Sequence, residues 1–328
     1  NRFEHISNTV TWSWQLGSRL QWVPKSNDQK VCFNCEINQN IGSVIKDVKS
    51  GEILSEFEYP IFDISPEGSF ALSLNFSRLH RMRKGYGYGN FPDKTAGQKI
   101  PTDDGIFRID FKTGTIDLII STEDIANFQP RSSMKDAEHY FNHISISPNE
   151  RRFFFLHLWK KSNKTYSRGI IADVVGGDFF ELPFPTNLSH YSWKSEAELM
   201  VHTSRHPDGV KFLLFEDGNV RYRTVGEGSL SQSGHPSFSP DGEHMIVDTY
   251  PDFTRRQKLF LCNADGSNIK NLGKYYSPAS YTGSNKCDLH PRWDHSGKRV
   301  CFDSAHKGRR SMYIMNIEQF LGKTHEIS

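Results

Sequence analysis

Four histidines occupy the same position of a segment that recurs along this 328-residue chain. A single histidine is usually a hydrogen-bonded packing residue, whereas clustered imidazoles suit metal binding and proton transfer. If the repeats fold alike, the four imidazoles lie at equivalent places in successive structural units. The sequence therefore predicts a functional ring made of His143, His190, His235 and His290.

The repeated segment is clearest as HPSFSPDG at 235–242 and HPRWDHSG at 290–297. Its fourth residue is always apolar, and a β-rich stretch with further strands follows each copy. Lys-Thr-Gly at 112–114 and Ala-Asp-Gly at 264–266 are typical of hairpin turns. Short antiparallel strands that recur about every 45 residues predict an all-β fold, a β-propeller of four-stranded blades. Six copies are visible, beginning at Arg19, Ile61, His143, His190, His235 and His290.

We expect a single propeller domain over residues 1–328 with two interruptions of the repeat. A basic and aromatic insertion covers about 78–103, and a partly helical connector covers about 122–140. Residues 1–18 contain strand-like sequence that closes the ring or ends a seventh blade. The repeat alone leaves six and seven blades open.

The bulk composition limits the function classes. The formal net charge is only +2, so attraction to an anionic partner must come from local clustering. No apolar run is long enough for a membrane span. Five sparse cysteines do not form a disulfide framework, which slightly favours the cytoplasm over the periplasm or the outside of the cell. The compartment and the oligomeric state stay open.

The later half of the ring predicts a metal site. Cys287 lies three residues before His290, and Asp248 is expected beside His235 at the end of the next strand. Imidazole, thiolate and carboxylate donors suit Zn²⁺ best, ahead of Mn²⁺ or Ca²⁺. Cys-x-x-Cys at 32–35 is a rival candidate, but its side chains would point to opposite faces of a strand. The predicted ligands are His235, Asp248, Cys287 and His290; the alternative is a buried apolar Cys287 and an Asp248 paired with Arg255.

The earlier half of the ring predicts a reaction centre beside the basic insertion. Guanidinium groups bind carboxylates in a bidentate manner, and aromatic faces stack on sugar rings. A nucleic-acid interface would need a wider basic surface, so we expect an anionic oligo- or polysaccharide instead. The candidate catalytic residues are His143, His157, His190, Tyr191 and Arg205. The candidate substrate-binding residues are Arg19, Arg78, His80, Arg81, Tyr86 and Tyr88.

Three motifs carry a resemblance to a known group of enzymes. GHPSFSPDG at 234–242, LHP at 289–291 and His-x-x-Trp at 190–193 resemble oligogalacturonate lyases, and the wider layout is similar to propeller-type ulvan lyases. The resemblance implies seven blades and cleavage of uronic-acid glycans by β-elimination.

The same resemblance implies roles for individual residues. It implies a metal held by His235 and His290, a catalytic histidine at His190, and an ulvan-lyase-like set at His143, His157, Tyr191 and Arg205. The chain departs from the pectic enzymes at Cys287, where they have Gln, and at Arg292, where they have a further His. These departures favour a structural zinc over a catalytic cation.

β-Elimination beside a uronate needs a cation on the C6 carboxylate, a base for the C5 proton and an acid for the leaving O4. The candidate residues include all three types of group, but the sequence does not show which residue has which role. The resulting hypothesis is a polysaccharide lyase. One alternative is a non-catalytic propeller with a structural metal that binds an anionic glycan or a protein. Another is a hydrolase or other glycan enzyme that uses the same face.

Overall fold

The computed structural model describes residues 4–183, 188–206 and 209–321, without the side chain of Arg205. The chain divides into two compact units, residues 1–186 and 187–328. The described residues form six antiparallel sheets, three in each unit, and consecutive strands pair within each sheet. The predicted all-β architecture of repeated blades is confirmed. The preference for seven blades is wrong, because the described residues form six.

The first unit has three four-stranded sheets. Its strands are β1 Gln21–Trp22, β2 Lys30–Ile37, β3 Asn40–Asp47, β4 Ile53–Phe57, β5 Asp63–Ile64, β6 Phe70–Leu74, β7 Gly105–Asp110, β8 Ile116–Ser121, β9 Glu138–Ile146, β10 Arg152–Lys161, β11 Lys164–Asp173 and β12 Phe180–Glu181.

The second unit has two four-stranded sheets and one that has three strands among the described residues. Its strands are β13 Leu188–Trp193, β14 Glu198–His206, β15 Gly209–Glu216, β16 Tyr222–Val225, β17 Pro236–Phe238, β18 His244–Asp248, β19 Arg256–Asn263, β20 Lys270–Tyr276, β21 Arg292–Trp293, β22 Arg299–Ser304 and β23 Ser311–Asn316.

Apolar side chains between neighbouring sheets hold each unit together. In the second unit, Met200 and Leu214 of one sheet pack with Met245 and Val247 of the next. Each side chain of this kind contributes about 1.5 to 3 kcal/mol when it is fully buried. Trp293, at the fourth position of its repeat, donates its indole N–H to the carbonyl of Ser237 at 2.9 Å. At this repeat the apolar fourth position therefore joins adjacent sheets.

Turn chemistry fixes the hairpins where the sequence predicts them. Ala-Asp-Gly connects β19 to β20, and Gly266 has a φ of 81°. A Cβ at Gly266 would lie 2.2 Å from the backbone nitrogen of Gly226, so only glycine fits this turn.

The two interruptions begin with short helices, α1 Phe76–Met82 and α2 Thr122–Asn127. Asn75 caps α1, and a Ser121–Asp124 capping box begins α2. The connector is helical only in its first part, because its end enters β9 at Glu138. No helix in the described part of the chain is long and apolar enough to cross a membrane.

The described N-terminal residues contain no strand, contrary to the expectation for 1–18. They lie along the first sheet through side-chain hydrogen bonds. Thr9 donates to the carbonyl of Asn34 at 2.9 Å, and Lys46 donates to the carbonyl of Ile6 at 2.8 Å.

Candidate functional site

Three of the four repeated histidines have a left-handed backbone. The φ angle is 58° at His143, 47° at His190 and 41° at His290. At His143 and His190 the strand pairing shifts by one residue, so each lies in a β-bulge. A left-handed conformation is uncommon for histidine and persists where the surrounding structure imposes it, often at functional sites. The bulge also releases His190 from the regular alternation of side chains along β13.

In the second unit, the histidine side chains form a continuous cluster. The ring centroids of His190 and His235 are 4.0 Å apart, and those of His235 and His290 are 3.8 Å apart. His202 stacks on His190 with a centroid distance of 5.2 Å. The Tyr250 hydroxyl lies 3.2 Å from Nε2 of His190. The structure thus brings three repeated histidines together with a fourth histidine and a tyrosine.

Hydrogen bonding defines the proton positions on His190. Its Nδ1 lies 2.8 Å from the carbonyl oxygen of Gly234, which can only accept, so Nδ1 carries the proton. The lone pair of Nε2 then accepts from the Tyr250 hydroxyl. Burial, followed by the neighbouring His235 and His202, holds the pKa of His190 far below its usual value. His190 is therefore a neutral imidazole whose lone pair is directed at Tyr250.

Asp248 organises the two predicted metal-binding histidines. Its carboxylate accepts from Nδ1 of His235 at 2.9 Å, from the backbone N–H of His235 at 2.6 Å and from the backbone N–H of His290 at 3.0 Å. Burial alone would raise the pKa of Asp248, but the electrostatic interaction and hydrogen bonds with His235 outweigh burial and lower the pKa. With Nδ1 protonated, Nε2 of His235 keeps the lone pair that a metal requires.

The residues that the structure groups as possible metal ligands differ from the predicted set in two ways. Asp288 takes the place of Cys287, and Asp248 contacts the two histidines instead of being a ligand itself. His235, Asp288 and His290 each offer a ligand atom, and these atoms lie within 4.8 Å of one another. This group includes Asp288 rather than Cys287. Asp248 supports the group through His235 and His290, as described above.

The donor set fits a transition-metal ion. Two imidazole nitrogens and one carboxylate oxygen suit Zn²⁺ or Mn²⁺ and leave coordination positions open. Ca²⁺ prefers six to eight oxygen ligands and fits less well. Cys287 is buried, and burial raises the pKa of its thiol to about 11, which disfavours the thiolate that would bind a metal.

A lysine connects this group to the tyrosine. Nζ of Lys286 lies 2.8 Å from Oδ2 of Asp288 and 3.9 Å from the centroid of the Tyr250 ring. Gln257 donates to the other oxygen of Asp288 at 3.4 Å. A cation therefore lies beside both the Tyr250 ring and the candidate metal ligands.

In the first unit, His143 is half-buried beside the basic insertion, as the sequence predicts. The ring of Tyr86 meets it edge-on at a centroid distance of 5.9 Å, and Arg83 lies 4.1 Å from the centroid of Tyr86. Burial, with Arg83 and Arg19 nearby, lowers the pKa of His143 to about 3. His143 and Tyr86 thus remain candidates for contact with a ligand.

His157, in contrast, is fully buried and belongs to the packing of its sheet. Its Nε2 lies 2.8 Å from Nδ1 of His139, and its Nδ1 accepts from Nε of Arg168 at 3.0 Å. Arg168 also pairs with Glu181 at 2.8 Å and donates to carbonyls of the connector. With both ring nitrogens occupied and no exposed surface, His157 does not fit the predicted catalytic role.

Most of the predicted substrate-binding residues in the insertion have structural partners. Arg78 is 2% exposed and donates to four backbone carbonyls and to a threonine side chain. Tyr88 is buried, stacks on Phe76 and accepts from Asn34 at 2.9 Å. Burial therefore argues against substrate contact for Arg78 and Tyr88.

Three other predicted substrate-binding residues, Arg19, Arg81 and His80, are only partly available for contact with a ligand. Arg19 lies 4.4 Å from the ring centroid of Phe62 and donates to its carbonyl. Arg81 pairs with Asp93 at 2.8 Å and also with a second carboxylate on β9. His80 packs against Gly89 so closely that a Cβ there would lie 2.4 Å from its Nε2.

Two predicted catalytic residues of the second unit, Tyr191 and Arg205, lie close in sequence to members of its histidine cluster. Tyr191 is half-buried and pairs with Val201 directly after the bulge at His190. Arg205 belongs to β14, but its side chain lies outside the described residues.

Four residues beside the histidine cluster were not predicted from the sequence. They are Tyr250, His202, Lys286 and Asp288. Tyr250 follows His235 by fifteen residues and lies two residues after the end of β18.

Comparisons with known proteins show the fold. Neither a scan against protein-family models nor a search of curated proteins finds a match. Solved structures do match. The β-propeller domain of the Trilobed protease from Pyrococcus furiosus is 15% identical with a TM-score of 0.55, covering 88% of this chain and 78% of that one. An oligogalacturonate lyase from Vibrio parahaemolyticus is 12% identical with a TM-score of 0.50, covering 92% and 89%.

Other matches are to longer proteins. The tricorn protease is 12% identical with a TM-score of 0.55; the match covers 90% of this chain but only 29% of the protease. The chain likewise spans 53% of TolB from Acinetobacter baumannii, which is 15% identical over 77% of this chain with a TM-score of 0.44. At these identities the comparisons show that the chain has a β-propeller fold, and they assign no activity.

Proposed function

We propose that the chain is a polysaccharide lyase that cleaves a uronic-acid glycan by β-elimination at the histidine cluster of the second unit. The observation that carries this proposal is the hydrogen bond between Tyr250 and His190, 3.2 Å long, beside a group of metal-ligand type. β-Elimination needs a base and an acid side by side, and this pair supplies both.

His190 is the base of the proposed reaction, and Tyr250 is the acid. The Nε2 lone pair of His190 takes the C5 proton of the uronate. The electrons of that C–H bond form the double bond between C4 and C5, and the bond from C4 to O4 breaks. Tyr250 donates its hydroxyl proton to O4, which leaves as the alcohol of the released chain. The His190–Tyr250 hydrogen bond then returns the proton from the imidazolium to the phenolate, which restores both resting forms.

The C5 proton becomes acidic only when the charge on the C6 carboxylate is neutralised. Among the described residues, Lys286 is the cation that lies against the Tyr250 ring. It can leave its ion pair with Asp288 and bind the substrate carboxylate instead. A divalent ion held by His235, Asp288 and His290 would supply further Lewis-acid neutralisation of the same group. Zn²⁺ is the ion that this donor set favours, so we propose a site for it at the reaction centre.

A sequence motif and a structural neighbour give further support to the proposal. The His-x-x-Trp motif that begins at His190 resembles oligogalacturonate lyases. A structural neighbour bears that same activity in its name, and this chain spans 89% of its length. The tricorn protease also contains this fold over part of its length, so the fold by itself does not select the activity.

The proposal is tested by the ultraviolet absorbance of the unsaturated product, because only elimination creates the conjugated double bond. Purified protein is incubated with pectic, ulvan-type, glucuronan and bacterial exopolysaccharide substrates, with and without added Zn²⁺. We expect an absorbance rise with at least one uronate polymer. New reducing ends without absorbance would indicate a hydrolase, and binding without cleavage would indicate the non-catalytic alternative; either result overturns the lyase proposal.

A further inference from the structure

Phe253 is the most exposed large apolar residue in the described part of the chain, at 98% exposure. It lies in the segment 249–255, which connects β18 to β19 and begins directly after Asp248. An isolated exposed apolar residue often has no special role. Phe253 differs because a complete aromatic ring is presented to solvent three residues from Tyr250.

The loop that carries Phe253 is held in place by its own hydrogen bonds. The Asp252 carboxylate accepts from the backbone of Thr254 at 2.9 Å, from its hydroxyl at 2.6 Å and from the backbone of Arg256 at 3.0 Å. Arg255 has a φ of 61° and donates to the carbonyls of Ser277 and Pro278. These hydrogen bonds hold the backbone on both sides of Phe253.

Positive charge accompanies the exposed ring. Arg256 is exposed, and its guanidinium lies 5.4 Å from the ring centroid of Tyr276. In the part of the chain that the structure describes, Arg256 has no carboxylate at ion-pair distance. The exposed aromatic ring of the loop is therefore followed, at the start of β19, by an exposed guanidinium group without a carboxylate partner among the described residues.

The loop is also close to the reaction centre. Three Cα–Cα steps separate Phe253 from Tyr250, which places their Cα atoms within about 11 Å of each other. Nζ of Lys286 lies 3.9 Å from the centroid of the Tyr250 ring. A glycan chain whose scissile bond lies at Tyr250 would reach this loop with a neighbouring sugar.

We propose that residues 250–256 form a uronate-binding subsite next to the reaction centre, in which Phe253 stacks on a pyranose ring and Arg256 binds its carboxylate. This inference rests on the proposed function, because it takes the ligand to be the glycan that is cleaved there. An aromatic ring suits the C–H face of a sugar, and a guanidinium suits a carboxylate through bidentate hydrogen bonds. A neutral glycan would use the ring and gain nothing from the arginine.

The test compares wild-type protein with Phe253→Ala, Phe253→Tyr and Arg256→Gln. Val220→Ala removes another exposed apolar side chain of the second unit and is the control. Binding of uronate hexamers from pectin, glucuronan and ulvan is measured by calorimetry, with maltohexaose as the uncharged probe, and KM is measured for any hexamer that is cleaved.

We expect Phe253→Ala and Arg256→Gln to weaken uronate binding about five- to tenfold, with Phe253→Tyr and Val220→Ala close to wild type. Equal affinities for wild type, Phe253→Ala and Arg256→Gln would overturn the subsite, as would a failure of every uronate hexamer to bind. Cleavage with an unchanged KM in these variants overturns the subsite and leaves the lyase proposal standing. Binding that depends on Phe253 without any cleavage supports the subsite and overturns the lyase proposal.

Discussion

The carboxylate of Asp248 accepts hydrogen bonds from both the ring Nδ1 and the backbone nitrogen of His235, at 2.9 and 2.6 Å. This double contact fixes the tautomer and the orientation of the imidazole and leaves Nε2 as its metal-binding atom. We therefore expect Asp248→Asn to lower the affinity for Zn²⁺ about ten- to a hundredfold, as measured by calorimetric titration.

A matched control for Asp248 exists on the same sheet. Asp241 lies in the turn between β17 and β18 and bonds to Ser239 and to the backbone of Glu243. Asp241→Asn should leave the Zn²⁺ affinity unchanged. Wild-type affinity in Asp248→Asn would show that this carboxylate does not support the proposed site.

The identity of the third metal ligand gives a second prediction. Asp288 lies with the two histidines, whereas Cys287 is a buried thiol. Asp288→Ala should abolish stoichiometric Zn²⁺ binding, because only two donors remain, and Cys287→Ala should retain it. Elemental analysis of the purified variants measures both. Loss of zinc in Cys287→Ala with retention in Asp288→Ala would restore the ligand set expected from the Cys-x-x-His motif.

The repeat made the fold predictable. The apolar fourth position and the turn pairs mark where each sheet begins and where its hairpins turn, and both appear in the structure as expected. The spacing of the repeat also correctly placed His235 beside His290. The number of blades could not be obtained in this way, because residues 4–18 resemble a strand in sequence but bind the first sheet through side chains.

The details of the candidate site depend on irregularities that a repeat pattern does not show. A bulge at His190 shifts the pairing by one residue, and His202, the cross-strand partner of Ser189, stacks on the His190 ring. The Cys-x-x-His spacing predicts Cys287 as a soft ligand, although the adjacent Asp288 is the residue grouped with the two histidines. Whether Arg78 or His157 is available to a ligand depends on burial, which the residue type does not reveal.

The buried histidine pair of the first unit predicts a dependence of stability on pH. Burial, with Arg168 and Arg78 nearby, lowers the pKa of His139 to about 4, from about 6.5 in an unfolded chain. The neutral form is therefore favoured in the folded state. The stability that the neutral His139 gives to the folded state is fully present above pH 6.5 and is lost as the pH falls towards 4. For His139 alone, the loss by pH 4 is on the order of 3 kcal/mol.

Urea unfolding between pH 7 and about pH 4 measures this loss. His139→Gln should unfold with a weaker dependence on pH than wild type, because the titrating group is gone. His5→Gln replaces an exposed histidine and should follow the wild-type curve. Identical pH profiles for wild type and His139→Gln would contradict a buried neutral imidazole at this position.

The most direct test of the central claim is the rate of unsaturated-product formation by wild type, Tyr250→Phe and His190→Gln on the same uronate polymer. The hydrogen bond between these two side chains is the proposed acid–base pair. We predict an absorbance increase for wild type and losses of about 10²- to 10⁴-fold in kcat for each variant, with the fold retained by circular dichroism. Wild-type rates in Tyr250→Phe and His190→Gln, or no product from wild type with any uronate polymer, would contradict the account.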